Sequence, residues 1–187
     1  MTIHTRESGF LAHMRGYAGR PVYFERLGGN RGDMLIRLGG EHVLQKAGCH
    51  LVESPGKADC ILMNGGDSIS DIWHRGIDML TGFRRDFPDI PVVVAPSTFR
   101  FGQDALDRIC APSQTPLHMF ARENRSFDLL NGLDRPTFLH HHRSQDLAFE
   151  LIDSRFLQEW HTRCRDTYVL IAMRMDEESH SPLLRKI

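Results

Sequence analysis

A chain of 187 residues has room for one α/β domain with a sizeable core, because a domain of ~150 residues buries roughly 70% of its unfolded surface. Its 23 Lys and Arg stand against 24 Asp and Glu, and the formal net charge of -1 excludes bulk attraction to nucleic acid or to an anionic membrane, so any anion site must be local. Cys49, Cys60, Cys110 and Cys164 stand singly at wide spacings with no C-x-x-C pair, a pattern that argues against a disulfide framework or zinc ribbon and for reduced thiols in a cytoplasm.

From Met1 to Arg15 the only apolar patch is Phe10 to Ala12, too short for a signal sequence or a spanning helix, so a soluble, cytoplasmic protein is expected. Beyond it, short apolar runs alternate with segments of helical period. Strands are predicted at Val22–Glu25, His50–Val52, Cys60–Met63, Val92–Ala95, Leu117–Phe120, Thr137–Leu139 and Tyr168–Met173. A helix over Gly32–Ala47 follows from Ile36, Gly40, Val43 and Ala47, which fall on one face. A second, over Ile72–Phe87, carries Trp73, Ile77, Leu80 and Phe87 and ends at Pro88. Asp104–Ile109, Glu123–Leu130 and Asp146–Cys164 complete the helical segments. This alternation predicts an α/β fold, a mainly parallel Rossmann-like sheet with helices on both faces. In such sheets the ligand sits outside the carboxyl ends of the strands.

The loop after the first strand, Leu27-Gly28-Gly29-Asn30-Arg31-Gly32-Asp33, opens directly into a helix. Gly29, Asn30 and Gly32 have the chemistry of a tight turn whose backbone approaches an anion, and Asp33 is either a ligand-side carboxylate or a helix cap. The loop after the third strand, Asn64 to Trp73, pairs Gly65 and Gly66 with hydroxyls and with Asp71, which is placed either for proton transfer or as a cap. Trp73 reads as core rather than as a stacking platform. Arg122, at a strand end, suits carboxylate or phosphate, or else an ion pair with Asp33 or Glu123. His140, His141 and His142 lie between a strand-like and a helix-like run. Neighbours on an extended segment point to opposite sides, which is poor geometry for a metal, and no metal or other cofactor is expected.

Taken in order, Gly-Asn-x-Gly-Asp-x-Leu-Ile at Gly29 to Ile36, Gly-Gly-x-x-x-x-Asp-x-Trp at Gly65 to Trp73, Phe101, Ala-Arg-Glu-x-x-Ser at Ala121 to Ser126, Asp-x-Ala-Phe at Asp146 to Phe149, and Arg174-x-Asp176-x-Glu178 resemble the polysaccharide pyruvyl transferase family. Three departures stand out. Asp67 replaces a third glycine, Ser68 replaces the asparagine that commonly follows it, and Pro96-Ser97-Thr98 stands where Pro-Gln-Ser is frequent. Members of that family resemble GT-B-like two-domain enzymes with a cleft between two Rossmann-like halves. On this resemblance residues 1–166 are the N-terminal half and residues 167–187 the start of a truncated second domain.

The resemblance implies transfer of a pyruvyl group from phosphoenolpyruvate to two sugar hydroxyls, forming a ketal in exopolysaccharide biosynthesis. Asp33 would then work on the acceptor, with Asp71 as a further acceptor-side candidate. Arg122 would hold the anion, and Gly29, Asn30, Gly32, Gly65 and Gly66 would shape the site. The implied partners are phosphoenolpyruvate and a sugar or lipid-linked oligosaccharide, the latter placing the work beside a membrane. An apolar surface left by a missing half would favour homo-oligomers. A cleft with one wall is expected to bind phosphoenolpyruvate weakly or not at all and to turn over little or no sugar acceptor. Two other readings stay open, a catalytically silent fragment or binding module, and a sugar-nucleotide glycosyltransferase on the same plan.

Overall fold

The computed structural model describes residues 7–155 and 157–159. In chain order it contains α1 (Gly9–Met14), β1 (Pro21–Glu25), α2 (Arg31–Ala47), β2 (His50–Val52), β3 (Cys60–Met63), α3 (His74–Asp86), β4 (Val92–Ser97), α4 (Gln103–Cys110), β5 (Leu117–Ala121), α5 (Asn124–Gly132) and β6 (Leu139–Arg143), followed by 3-10 turns over Leu147–Asp153. The strands form one six-stranded sheet in the order β2-β1-β3-β4-β5-β6, and every pairing is parallel. The expected α/β, Rossmann-like architecture is therefore the observed one.

Burial follows from position in this sheet. The central strands β3 and β4 are buried at every residue, as parallel strands covered on both faces must be. Side chains alternate between two cores. Cys60, Leu62, Val93, Ala95 and Phe120 face α1, α2 and the 3-10 turns. Ile61, Met63, Val92, Val94, Leu117 and Met119 face α3, α4 and α5. Helix α2 runs unusually close to the 3-10 turns, since a Cβ on Gly39 would lie 1.9 Å from the Leu147 carbonyl oxygen.

Three readings of the sequence need correction. The last described strand is Leu139–Arg143, not Thr137–Leu139, so the three histidines lie inside it, in register with His118, Met119 and Phe120. Their period-two alternation was hidden because histidine occupies both faces. His141 turns to Phe127 on α5 (ring centroids 4.9 Å apart), whereas His140 and His142 stack beside His118 under His13 of α1. The segment after Asp146 begins as 3-10 turns over Leu147–Asp153 rather than as a long helix, with Asp146 accepting from the Ala148 N–H. Helix α3 starts at His74, and Trp73 is 47% exposed, so it is not core. The strand expected at Tyr168–Met173, the boundary at residues 166–167 and Cys164 lie outside the described residues. Cys49, Cys60 and Cys110 are free thiols, and burial pushes Cys60 up to about 12.

Arg84 ties α3 to the α4–β5 connection. It is 1% exposed, donates to the carbonyls of Ile109 (3.0 Å), Thr115 (3.1 Å) and Ser113, and lies over the Phe138 ring. Arg84→Leu would strand these buried acceptors, so urea denaturation should show a loss of about 2–4 kcal/mol.

The imidazole cluster makes a second prediction. His118 and His142, whose rings approach to 3.2 Å between Nδ1 and Nε2, are both held down to about 4, first by burial and then by neighbouring imidazoles; His13 is lowered for the same reasons. Between about 6.5 and 4 the unfolded chain binds protons that the folded chain refuses, so stability falls as pH falls through that window. Thermal melts should show Tm dropping by several degrees between pH 7 and pH 4, with a flatter profile in His142→Phe.

Candidate functional site

The chain turns back between β1 and β3, since β2 lies on one side of β1 and β3 to β6 lie on the other. At such a switch point the loops leave in opposite directions and open a crevice at the carboxyl ends of the strands. A cleft of about 840 Å³ lies there, walled by the loops after β1 and β3, by the first turns of α2 and α3, and by Arg122 after β5.

The first wall is the Leu27–Asp33 loop. Asn30 caps α2, its side-chain oxygen accepting from the N–H groups of Gly32 (2.7 Å) and Asp33 (3.3 Å), while Asp33 Oδ2 accepts from the Asn30 N–H at 2.7 Å. This is a reciprocal capping box. It requires glycine at position 29, where a Cβ would meet Asp33 Oδ2 at 1.9 Å. Asp33 is thus a cap and a cleft residue at once, with Oδ1 3.5 Å from where a Gly66 Cβ would be. The N–H groups of Gly32 and Asp33 are already engaged, so α2 reaches the cleft mainly through its dipole.

The second wall is stitched to β4. Pro96, which has no N–H to give a ladder, coincides with a shift of register between Val94 and Ser97. Beyond it Gly66 bridges Ser97, Thr98 donates to the Gly66 carbonyl at 2.8 Å, and Ser70 bridges Arg100. Gly66 sits at φ +132°, which disfavours any residue with a side chain. Gly65 is held by space instead, since its Cβ would lie 2.4 Å from the Pro96 carbonyl oxygen. Asp67 lines the cleft with an ion pair to Arg100 at 3.6 Å. Asp71 is exposed and does not line the cleft; its N–H donates to Arg100 O at 2.8 Å.

Arg122 donates through Nε to Thr98 Oγ1 (2.8 Å) and through a terminal nitrogen to Asp146 Oδ2 (2.8 Å), with Glu123 at 3.7 Å. Its principal partner is Asp146, a residue that only tertiary structure brings near. The guanidinium still lines the cleft. The structure therefore gathers Gly29, Asn30, Gly32, Asp33, Gly65 and Arg122 around one space, with Gly66 at its edge and Asp71 outside.

Residues that the sequence reading missed are Asn64, Trp73 as a wall, and Arg75. The Arg75 side chain, in the first turn of α3, has no hydrogen bond or ion pair among the described residues. Its signal was present, because a cation one turn into a helix that follows a glycine-rich loop faces the same crevice as the loop. Among the described residues no group of three or more His, Cys, Asp or Glu side chains is arranged to hold a metal ion, and no helix is long and apolar enough to cross a membrane.

No protein-family profile and no curated protein matches the chain. Among solved structures it is similar to a functionally uncharacterized protein from Klebsiella pneumoniae subsp. pneumoniae NTUH-K2044, with 20% identity and a TM-score of 0.62 over 79% of this chain and 57% of that one. The chain thus spans a little over half the length of that structure, and the likeness speaks to fold alone.

If Gly65 is the spacer between the second loop and β4, Gly65→Ala should push the two apart. Thermal denaturation should register a loss of about 1–3 kcal/mol, the range for overpacking a tight contact.

Proposed function

We propose that this cleft binds a small carboxylate- or phosphate-bearing ligand, and that the protein belongs to pyruvyl transfer of the polysaccharide type, moving pyruvyl from phosphoenolpyruvate to two hydroxyls of a sugar. The observation that carries this reading is the cationic wall. Arg75, without a partner among the described residues, and Arg122 line the same crevice as Asp33 at the switch point of the sheet. A guanidinium binds carboxylate and phosphate oxygens through paired N–H donors, and one lacking a protein partner has its donors free for a ligand.

On this reading Arg75 and Arg122 hold the carboxylate and phosphate of phosphoenolpyruvate. Protonation of the enol carbon makes its neighbour electrophilic, one acceptor hydroxyl adds there, and inorganic phosphate leaves as the second hydroxyl closes the ketal. Asp33 is placed to orient a hydroxyl or accept its proton. Asp71, off the cleft wall, has no step in this scheme. A cytoplasmic setting, with a sugar or lipid-linked oligosaccharide as acceptor, belongs to the same proposal. The order of the glycine loops, Arg122 and Asp146 along the chain supports it.

Arg75→Gln is the cleaner test, because replacing Arg122 also strands Asp146. In an NMR titration with phosphoenolpyruvate, the full chain should show shifts in the Gly29–Asp33 and Gly65–Ser68 amides. Arg75→Gln should weaken binding by about 10- to 100-fold, the equivalent of one charge-assisted hydrogen bond. A pyruvylation assay on galactosides, glucosides and mannosides then reads the chemistry. A titration without shifts in either loop would count against the proposal.

A further inference from the structure

Asn64 stands at the switch point, directly after β3, and is the most buried polar residue of the cleft lining at 1% exposure. Its backbone N–H donates to the Glu25 carbonyl at 3.1 Å. In its side chain, both Oδ1 and Nδ2 are buried with no hydrogen-bond partner among the described residues. Buried side-chain amides are almost always bonded, so one with neither a donor nor an acceptor in use asks for an explanation. The immediate surroundings offer none: Gly65 follows it, and the Ile36 side chain packs 3.3 Å from the Cβ position of that glycine.

We propose that Asn64 is the residue with which the cleft recognises a neutral donor–acceptor edge of its ligand. A carboxamide offers one acceptor and two N–H donors side by side. Such a group matches adjacent sugar hydroxyls or the amide edge of a pyrimidine base, and it contributes little to an anion, which Arg75 and Arg122 are better suited to hold. The amide is shielded, and contact requires it to turn toward the cleft. No hydrogen bond has to be broken for that turn. Trp73, 47% exposed on the same wall, offers a flat apolar face of the kind that covers either a sugar ring or a base. The inference rests on the cleft being a ligand site, and not on pyruvyl transfer.

The test uses the full chain, wild type and Asn64→Leu, with methyl α-galactoside, methyl α-glucoside and methyl α-mannoside in one arm and uridine 5′-monophosphate in the other, each titrated by NMR. The side-chain NH₂ resonances of Asn64 should shift with one arm, which identifies the source of the edge. Asn64→Leu should lower affinity for that probe by about tenfold or more, because a site built for a hydrogen bond is left without it. The same substitution should raise Tm, since an apolar side chain of similar size removes an unbonded buried amide. If Asn64→Leu does not fold, Asn64→Ser replaces it and should show the same loss of affinity. Phosphoenolpyruvate affinity should stay within about threefold of wild type, as expected when distinct groups hold the anion. Failure to bind phosphoenolpyruvate would sink the pyruvyl-transfer reading and leave this one standing. Unchanged probe affinity in a folded variant, binding of neither probe by wild type, or a fall in Tm alongside lost affinity would overturn it.

Discussion

Gly65 has its α-carbon against the carbonyl of Pro96, and the arrangement of the cleft depends on that approach. Pro96 cannot donate to the ladder, and beyond it β4 shifts register against β5 while its other side, where β3 has already ended, runs alongside the second glycine loop. The bridges from Gly66 to Ser97 and from Ser70 to Arg100, and the hydrogen bond from Thr98 to Gly66, follow from that displacement. They satisfy backbone groups that a free loop would leave to water, and they hold Asp67 and Ser68 on the cleft wall. The Arg122 N–H donates to the Ser97 carbonyl, so the same irregularity of β4 also places the cation of the third loop.

The electrostatics are local, as the near-zero net charge requires. Arg122 is shared among Thr98, Glu123 and Asp146 and is therefore held in orientation, whereas Arg75 has no partner among the described residues. The cleft thus carries one guanidinium fixed in direction and one with no side-chain partner among the described residues. Asp33 is constrained in the same manner as Arg122. One of its oxygens completes the capping box of α2 and the other points toward Gly66, so a single carboxylate links helix stability to the shape of the site. At the far edge of the sheet, the stack of His13, His118, His140 and His142 is a separate feature that couples α1 to β5 and β6 by ring contacts.

Legibility in the sequence tracked local physics. The α2 helix could be read because Ile36, Gly40, Val43 and Ala47 repeat on one face, and these residues are buried against the sheet. Strands β3 to β5 could be read because continuous apolar runs are what a covered parallel sheet demands, and β1 and β2, only partly covered, because short β-branched and aromatic runs stand between turn residues. Strand β6 could not, because histidines on both faces erase the contrast on which a period of two depends. Trp73 was misplaced for a related reason: the helical spacing to Ile77 and Leu80 is genuine, but the hydrogen bond from Trp73 N–H to Ser70 Oγ keeps the residue in the loop, one position before the helix begins.

The sequence by itself determined the fold class and the positions of the glycine loops after strands, because backbone permissiveness and apolar periodicity are properties of neighbouring residues. It determined that Asp33 would be either a cap or a cleft residue, and could not show that it is both. Only the tertiary structure decided which loops share a space, that Arg122 pairs with Asp146 across 24 positions, and that, among the described residues, the Arg75 side chain has no partner and the buried Asn64 amide no hydrogen bond. Partnership and its absence depend on distances between segments far apart in the chain, and those distances are set by the packing of helices on the sheet rather than by any local pattern.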